Sequence, residues 1–477
     1  TLGASENWIN IKGACWMIKF GTDGWRAIIS EDFTFENVRI VAAAIAKYLV
    51  DHKFEKKPLI IGFDPRFLAD KFAQEIARVM ADAGISSFIV EYDTPTPVVA
   101  WEVKDKEACG AVMLTASHNP PEYCGIKFIP DYAGPANAGI TREIEENLGV
   151  GVSRALGGGK GTIESFDPKH RYFPYITKFI DPDKIKKARP KVVIDAMHGA
   201  GRGYLDELLQ KLGCTTRELN GERDVLFGGH NPEPSDELLG ELKKKVVAEG
   251  ADMGVAMDGD ADRFGLVDEK GKFYSPNQVI TMVFKYLVET RKFKGSVVRS
   301  IGTTHMIDAI AAKHKIKLHE TPVGFKYIAE IMMKEPVIIG GEESGGFSIK
   351  GHIPEKDGLL ANLLLVEMFS SLGKPISKIW EDIVAEIGQY YQFAQKIKLP
   401  EEKKLSLIKD LQAKKELIVA GIKTSGTRSD DGAKFYFGDG SWLLVRPSGT
   451  EPLVRVYVES KDKKMLDKIV EFVKSLI

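Results

Sequence analysis

Three acidic side chains at alternate positions, Asp258-Gly259-Asp260-Ala261-Asp262, close an apolar run. Far upstream, Ser117 stands in the polar stretch Leu114-Thr115-Ala116-Ser117-His118-Asn119-Pro120. Clustered carboxylates offer the all-oxygen ligand set that a hard divalent cation takes. A hydroxyl in a polar loop is a candidate nucleophile. A phosphorylated serine beside a cation can store and transfer a phosphoryl group. The acidic run has EF-hand spacing at loop positions 1, 3 and 5, and Glu269 falls at position 12. Arg263, however, occupies position 6, where the loop turns sharply and needs glycine. Its flanks, Ala251 to Met257 and Phe264 to Val267, read as strands rather than helices, which excludes the EF-hand. An ordinary acidic turn is the duller reading. Uncompensated carboxylates at the end of a buried strand repel one another, and a cation relieves that repulsion.

Other segments carry chemistry of a similar kind. His118 either orients the serine loop or transfers a proton, and Pro120-Pro121 stiffens the exit. No Gly-x-Ser-x-Gly elbow surrounds Ser117, which argues against an acyl-transfer triad. Gly340-Gly341-Glu342-Glu343-Ser344-Gly345-Gly346 is glycine-rich but lacks the closing Lys-Ser/Thr of a P-loop. Glu342 and Ser344, two apart, suit the vicinal hydroxyls of a sugar; a flexible surface loop is the alternative. Arg446-Pro447-Ser448-Gly449-Thr450 brings a guanidinium fork, two hydroxyls and backbone amides into five residues, a mixture that favours phosphate. Arg455 either completes that pocket or is a solvated strand residue.

These loops need a scaffold, and the chain repeats one three times. Lys57-Pro58-Leu59-Ile60-Ile61-Gly62-Phe63-Asp64, Arg189-Pro190-Lys191-Val192-Val193-Ile194-Asp195 and Lys294-Gly295-Ser296-Val297-Val298-Arg299-Ser300 each set a β-branched run after a basic residue. Each precedes a helical stretch and a second strand, at Phe88 to Tyr92, Thr215 to Leu219 and Ile316 to Glu320. A further buried strand in each copy runs into a polar loop: Ala111 to Leu114 before Ser117, Met253 to Met257 before Asp258, and Val337 to Ile339 before Gly340. Alternating strands and helices predict βαβ units and parallel sheets. Open α/β sheets bind ligands beyond the carboxyl ends of their strands, so the three loops belong at binding edges. The tail differs: a helix at Lys403 to Ala413, strands at 434–437, 441–445 and 453–458, and a closing helix from Lys463 predict a small α+β domain. The expected divisions are an extension at 1–16 and domains at 17–169, 170–272, 273–386 and 387–477.

Composition excludes several classes. At 477 residues the chain exceeds the roughly 250–300 at which single cores stop growing, so several domains are expected. A net charge of −1 leaves no electrostatic footprint for nucleic acid or an anionic membrane. Cys15, Cys109, Cys124 and Cys214 form no CxxC pair and read as reduced thiols of a cytoplasmic protein. No apolar run has the length of a membrane span, and the start does not have the pattern of a signal peptide.

In order and spacing, the segments from Phe20-Gly21-Thr22-Asp23-Gly24-Trp25-Arg26 to the Arg446 loop resemble the α-D-phosphohexomutase family, the phosphoglucomutases and phosphomannomutases. The resemblance implies three similar α/β domains in series plus a smaller C-terminal α+β domain, heart-shaped around a central cleft. It implies Ser117 as phosphoserine and, with Ser117, Asp258, Asp260 and Asp262 as ligands of one Mg²⁺. Arg26 and Arg263 become cleft arginines, and His118 and Lys127 neighbours of the serine. Glu342 and Ser344 read sugar hydroxyls, Thr321 and Gly324 belong to a specificity loop, and Arg446, Ser448, Gly449, Thr450 and Arg455 hold the non-reacting phosphate. Gly346 stands where some dual-specificity members carry histidine, and Lys356, in Glu355-Lys356-Asp357-Gly358, is the implied acid/base. The expected reaction interconverts hexose 1- and 6-phosphates of glucose or mannose, with a hexose 1,6-bisphosphate as intermediate and activator. A phosphoglucosamine mutase and a serine-dependent sugar phosphatase are the alternatives. Small-molecule sugar phosphates are the expected partners of a monomer or homodimer.

Overall fold

The computed structural model describes residues 18–21, 23–150, 160–414, 416–448 and 452–476. The extension expected at 1–16, and Gly449 and Thr450 of the phosphate loop, lie outside the described residues.

The described residues build four sheets. The first holds β1 (Trp25–Ile28), β2 (Leu59–Phe63), β3 (Ser87–Val90), β4 (Gly110–Leu114), β5 (Tyr123–Pro130) and β6 (Ile163–Phe166), in the order β1-β5-β4-β2-β3-β6. The second holds β7 (Lys191–Asp195), β8 (Thr215–Leu219), β9 (Met253–Met257), β10 (Phe264–Asp268) and β11 (Phe273–Tyr274), ordered β11-β10-β9-β7-β8. The third is β12 (Ser296–Ser300), β13 (Leu318–Thr321), β14 (Val337–Glu342) and β15 (Gly346–Ile349), ordered β13-β12-β14-β15.

The three sheets repeat one topology. Setting aside the edge strands β1, β6 and β11, the first strand of each pairs in parallel with the second and third, as β2 does with β3 and β4. A fourth strand returns antiparallel beside the third, as β5 does beside β4. The sheets are therefore mixed rather than parallel. β4 and β9 are buried at every position, because helices cover both faces. A short link between third and fourth strands lets the chain turn back on the same sheet edge, and that link carries the polar loop in each copy: Ser117, the aspartates, and Glu343 with Ser344.

One expected loop is shorter than its composition suggested. Gly340, Gly341 and Glu342 continue β14, with Glu342 opposite Gly346. A Cβ on Gly340 would lie 2.3 Å from Ile328 Cγ2. Glycine there admits a packed helix rather than flexibility.

The fourth sheet is antiparallel: β16 (Tyr391–Lys398), β17 (Ile418–Val419), β18 (Ile422–Arg428), β19 (Ala433–Phe437), β20 (Trp442–Pro447) and β21 (Leu453–Ser460), ordered β16-β21-β20-β19-β18-β17. Leu443, Val445, Val454 and Val456 pack with the helices Glu401–Ala413 and Lys463–Lys474 in a core of their own. Strand alternation turns Trp442, Leu444, Arg446 and Arg455 to the opposite face. There Trp442 and Leu444 meet Ile301 of the third sheet's edge.

Helix Gly358–Leu372 is apolar nearly all round and buried from Gly358 to Met368, which marks a core helix. Asp357 caps its start by accepting from the Leu360 N–H, and Gly373 ends it in the left-handed conformation. Among the described residues, no single helix is long and apolar enough to cross a membrane.

Candidate active site

Ser117 sits at the tip of the turn that leaves β4, 1% exposed, in the left-handed backbone region at φ 51°. For serine this conformation costs about 1–3 kcal/mol and persists only where its surroundings enforce it. Those surroundings are specific. Arg66, fully buried, donates to the carbonyls of Ser117 (2.8 Å), Asn119 (2.7 Å), Pro120 (2.7 Å) and Tyr123 (2.8 Å). Its Nε pairs with Asp64 Oδ2 at 3.1 Å. Thr115 Oγ1 donates to Asp64 Oδ2 (2.6 Å) and accepts the Ser117 N–H (2.8 Å). Burial, outweighing the Arg66 charge, pushes the Asp64 carboxyl up to about 6.

The acidic loop meets this turn directly. Ser117 Oγ donates to Asp258 Oδ2 at 2.8 Å. A Cβ on Gly259 would lie 2.6 Å from the Ser117 carbonyl oxygen, so only glycine lets the two loops touch. Thr96 steadies Asp260 from the first domain, donating through its backbone N–H to the carbonyl (2.9 Å) and through Oγ1 to Oδ2 (2.7 Å). Asp258 Oδ1 accepts the N–H groups of Asp262 and Arg263, 3.0 Å each.

The aspartates are not uncompensated. Lys127 Nζ, on β5, lies 2.9 Å from Asp260 Oδ2, 3.1 Å from Asp262 Oδ2 and 2.9 Å from Asp23 Oδ2. Lys356 Nζ lies 2.9 Å from Asp262 Oδ2, and Arg263 Nε 3.9 Å from Asp258 Oδ2. The carboxyls nevertheless titrate apart. Burial and the charges of Asp260 and Asp262 hold Asp258 well above the carboxylate range. Burial acts in the same direction on Asp262, but Lys356, Lys127 and Arg263 outweigh it and hold Asp262 below that range.

Asp258, Asp260 and Asp262 each place an oxygen within 4.8 Å of the others. Asp260 Oδ1 and Asp262 Oδ1 are buried without a hydrogen-bond partner among the described residues. Oxygen-only donors, with two of them buried and unsatisfied, fit a hard divalent cation. His118 Nδ1 is 3.5 Å from Ser117 Oγ, and burial with the cations Arg263 and Arg26 holds its imidazole well below the usual range. Arg26 Nη1 donates to Asn119 Oδ1 at 2.7 Å.

A second group adjoins the first. Glu342 Oε1, at the end of β14, accepts the Gly324 N–H at 2.7 Å. Burial, then the Glu343 charge, pushes its carboxyl up to about 7. Thr321 is buried at the end of β13, and Ser344 is half-buried beyond Glu342. Gly346 has a steric reason: a Cβ there would lie 2.3 Å from Lys356 Cδ, so the lysine stem fills the space a histidine would need.

In the third group, Arg446 and Arg455 stand opposite each other across β20 and β21. Like charges paired this way repel, and an anion between them relieves the strain. Arg446 Nε donates to Asp431 Oδ1 at 2.7 Å, and buried Ser448 follows β20.

Known proteins share the order of the four domains. Phosphoglucomutase/phosphomannomutase α/β/α domains I, II and III match residues 17–151, 170–271 and 275–387, and the C-terminal domain matches 395–476. A phosphoglucomutase/phosphomannomutase of Thermococcus kodakarensis is 33% identical over 459 residues, 95% of this chain and 96% of the other. The chain belongs to the phosphoglucomutase/phosphomannomutase family. Phosphoglucosamine mutase of Clostridium kluyveri is 31% identical over 469 residues, 96% of this chain and 98% of its own. A solved structure from Thermus thermophilus, assigned to the phosphomannomutases, is 31% identical with a TM-score of 0.84, covering 96% of this chain and 99% of that one. Members of this family are isomerases that move a phosphoryl group, and the chain is an isomerase of that kind.

Several members of the site escape the sequence reading. Asp23 lies inside a quoted motif and Asp64 ends a quoted repeat, but neither has a visible partner there. Arg66, Thr96 and Asp431 give no signal beyond turn and helix-start chemistry. Asp64 has one indirect clue: Asp195 closes the equivalent strand of the second copy, and both accept the N–H two residues on.

Proposed function

We propose that this isomerase interconverts hexose 1-phosphates and 6-phosphates, carrying the phosphoryl group on Ser117 and passing through a hexose 1,6-bisphosphate. The observation that carries the reading is the 2.8 Å contact of Ser117 Oγ with Asp258, inside a pocket of carboxylates and cations drawn from three domains. Asp258, Asp260 and Asp262, with the phosphoserine, would hold Mg²⁺. When bound, it supplies positive charge to the phosphoryl group in transfer.

The chain's own residues do the rest. Arg263, Arg26 and Lys127 bring cationic groups to the Ser117 pocket, where phosphoryl transfer is governed by positioning and electrostatics. Lys356, beside Asp262, is placed to give and take the proton of the sugar hydroxyl as the phosphoryl group arrives and leaves. Neutral His118 orients the serine loop. Glu342 and Ser344 bind the sugar hydroxyls, with Thr321 and Gly324 shaping the neighbouring loop. Arg446, Arg455, Ser448, Gly449 and Thr450 hold the phosphate that is not reacting. The bisphosphate turns end for end, and its second phosphate returns to Ser117.

Glucose and mannose phosphates are the proposed substrates. Glucosamine phosphate is a second reading, favoured by the comparable 31% identity to a phosphoglucosamine mutase. The test supplies glucose, mannose and glucosamine 1-phosphates separately, with Mg²⁺ and a trace of glucose 1,6-bisphosphate. The 6-phosphate of glucose or mannose is the expected product. Release of inorganic phosphate alone, or no reaction with any sugar, overturns the proposal.

A further inference from the structure

Asp431 lies in the turn between β18 and β19 of the C-terminal domain, and its two carboxylate oxygens serve different domains. Oδ1 accepts from Arg446 Nε at 2.7 Å. Oδ2 accepts the backbone N–H of Val323, in the third domain, also at 2.7 Å. The next residue, Gly324, donates its N–H to Glu342 Oε1 at 2.7 Å. An unbroken chain of short bonds thus runs from Glu342 through the 323–324 backbone and Asp431 to Arg446. The two links at Asp431 have a charged partner, which makes them stronger and more directional than neutral hydrogen bonds. The Arg446 and Asp431 side chains are only 12% and 16% exposed, so water screens the pair little. Gly324 sits at φ 128°, a backbone state that glycine alone adopts freely, so its N–H can point at Glu342.

The end of β18, just before that turn, grips the loop a second way. Arg428 Nη1 donates to the Glu320 carbonyl (3.2 Å) and to Glu320 Oε1 (2.9 Å), just before the bonded stretch. Lys434 Nζ (2.9 Å) and Tyr436 Oη (2.5 Å) also donate to Glu320. Another part of the interface is anchored on Glu459, which accepts from Thr304 Oγ1, the His305 N–H, Gln392 and Trp442. Glu459 makes no bond to the 320–324 loop among the described residues.

We infer that Asp431 is a positioning residue that couples the sugar reader to the phosphate clamp. By taking Nε, one of five guanidinium N–H donors, it fixes the plane of the Arg446 fork. By holding the Val323 N–H, it fixes the loop whose next amide orients Glu342. A phosphate seated on Arg446 then favours the loop geometry in which Glu342 reads the sugar, and the reverse holds equally, since coupling between sites is reciprocal. An enzyme that must accept one sugar in two opposite orientations gains from such a link, because clamp and reader then engage together.

This inference rests on the phosphohexomutase reading, and wild-type turnover tests that reading first: a wild type that isomerises no hexose phosphate removes the reading, not the chain of bonds. Asp431→Asn keeps the size but can accept only one of the two bonds through its single carbonyl. Asp431→Ala loses both. With glucose 1-phosphate as the probe, KM should rise about ten- to hundredfold in Asp431→Ala, the range expected for a lost charged hydrogen bond. Asp431→Asn should show a smaller rise, and kcat should fall less than KM rises in both. Glu459→Gln, which weakens the same interface without touching the chain, should lower the unfolding temperature but leave KM within about twofold, since sites that share no partners act nearly independently. A double-mutant cycle between Glu342→Gln and Arg446→Lys should be non-additive in wild type and additive in Asp431→Asn. Unchanged KM in both Asp431 variants, equal KM changes in Glu459→Gln, or non-additivity that survives Asp431→Asn would overturn the inference.

Discussion

Replacing Arg66 with lysine tests whether the serine loop is held by its brace or by its own sequence. The guanidinium spans four carbonyl oxygens, of Ser117, Asn119, Pro120 and Tyr123, at 2.7–2.8 Å, and pairs with Asp64. An ammonium keeps the charge but has three donors at one point and cannot reach around that arc. At least two carbonyls then lose their partner in a fully buried place. At about 1–3 kcal/mol for each unsatisfied group, the loss is about 2–6 kcal/mol, against a total stability of about 5–15. Ser117 is also released from its φ of 51° and relaxes toward an unstrained state. A displacement on the order of 1 Å at the nucleophile costs on the order of a hundredfold in turnover. Arg66→Lys should therefore lower the urea midpoint of unfolding and, in conditions where it is fully folded, reduce kcat for glucose 1-phosphate about a hundredfold or more. A variant with the wild-type midpoint and kcat within about twofold would refute the reasoning, since either loss alone exceeds that size.

Two further perturbations address the metal and the sugar reader. Asp260→Asn exchanges a carboxylate for a weaker neutral ligand of a hard cation, so the Mg²⁺ concentration for half-maximal rate should rise and the maximal rate fall; activity unchanged by EDTA would contradict the metal assignment. Glu342 has its carboxyl raised by burial and Glu343 from 4.5 to about 7, so the folded state favours the protonated form. Its contribution to stability is present below about pH 4.5 and is lost as pH rises through about 7. Unfolding free energy measured across that window should fall with pH more steeply in wild type than in Glu342→Gln, and parallel profiles would count against the burial argument.

The chemistry-bearing residues were legible because they cluster in sequence. Asp258, Asp260 and Asp262 alternate within five residues, and the Ser117 and Arg446 loops each concentrate their polar groups in one short run. The three-fold repeat was legible because β2, β7 and β12 each carry adjacent β-branched residues after a basic residue. Direction was not: the antiparallel return of β5, β10 and β15 depends on a short link folding back on one sheet edge, which composition does not encode. Glycine also misled, since Gly340 reads as loop chemistry but serves close packing against Ile328. What stayed hidden acts across distance in sequence. Arg66 braces a loop 51 residues away, Thr96 fixes an aspartate 164 residues away, and Asp431 reaches Val323 across 108. A lone buried arginine or turn aspartate has no local signature, because its partners are defined by the fold alone.

In the proposed reaction, Ser117 carries the phosphoryl group between substrate molecules. The most direct test is the intact mass of the protein, with site mapping, after incubation with glucose 1,6-bisphosphate and Mg²⁺ and again after a chase with excess glucose 1-phosphate analogue lacking the 6-hydroxyl. One added phosphate is expected, located on Ser117, present after the first step, absent from Ser117→Ala, and retained through the chase because no acceptor hydroxyl is supplied. A phosphate found on another residue, with Ser117→Ala still isomerising glucose 1-phosphate at the wild-type rate, would contradict it.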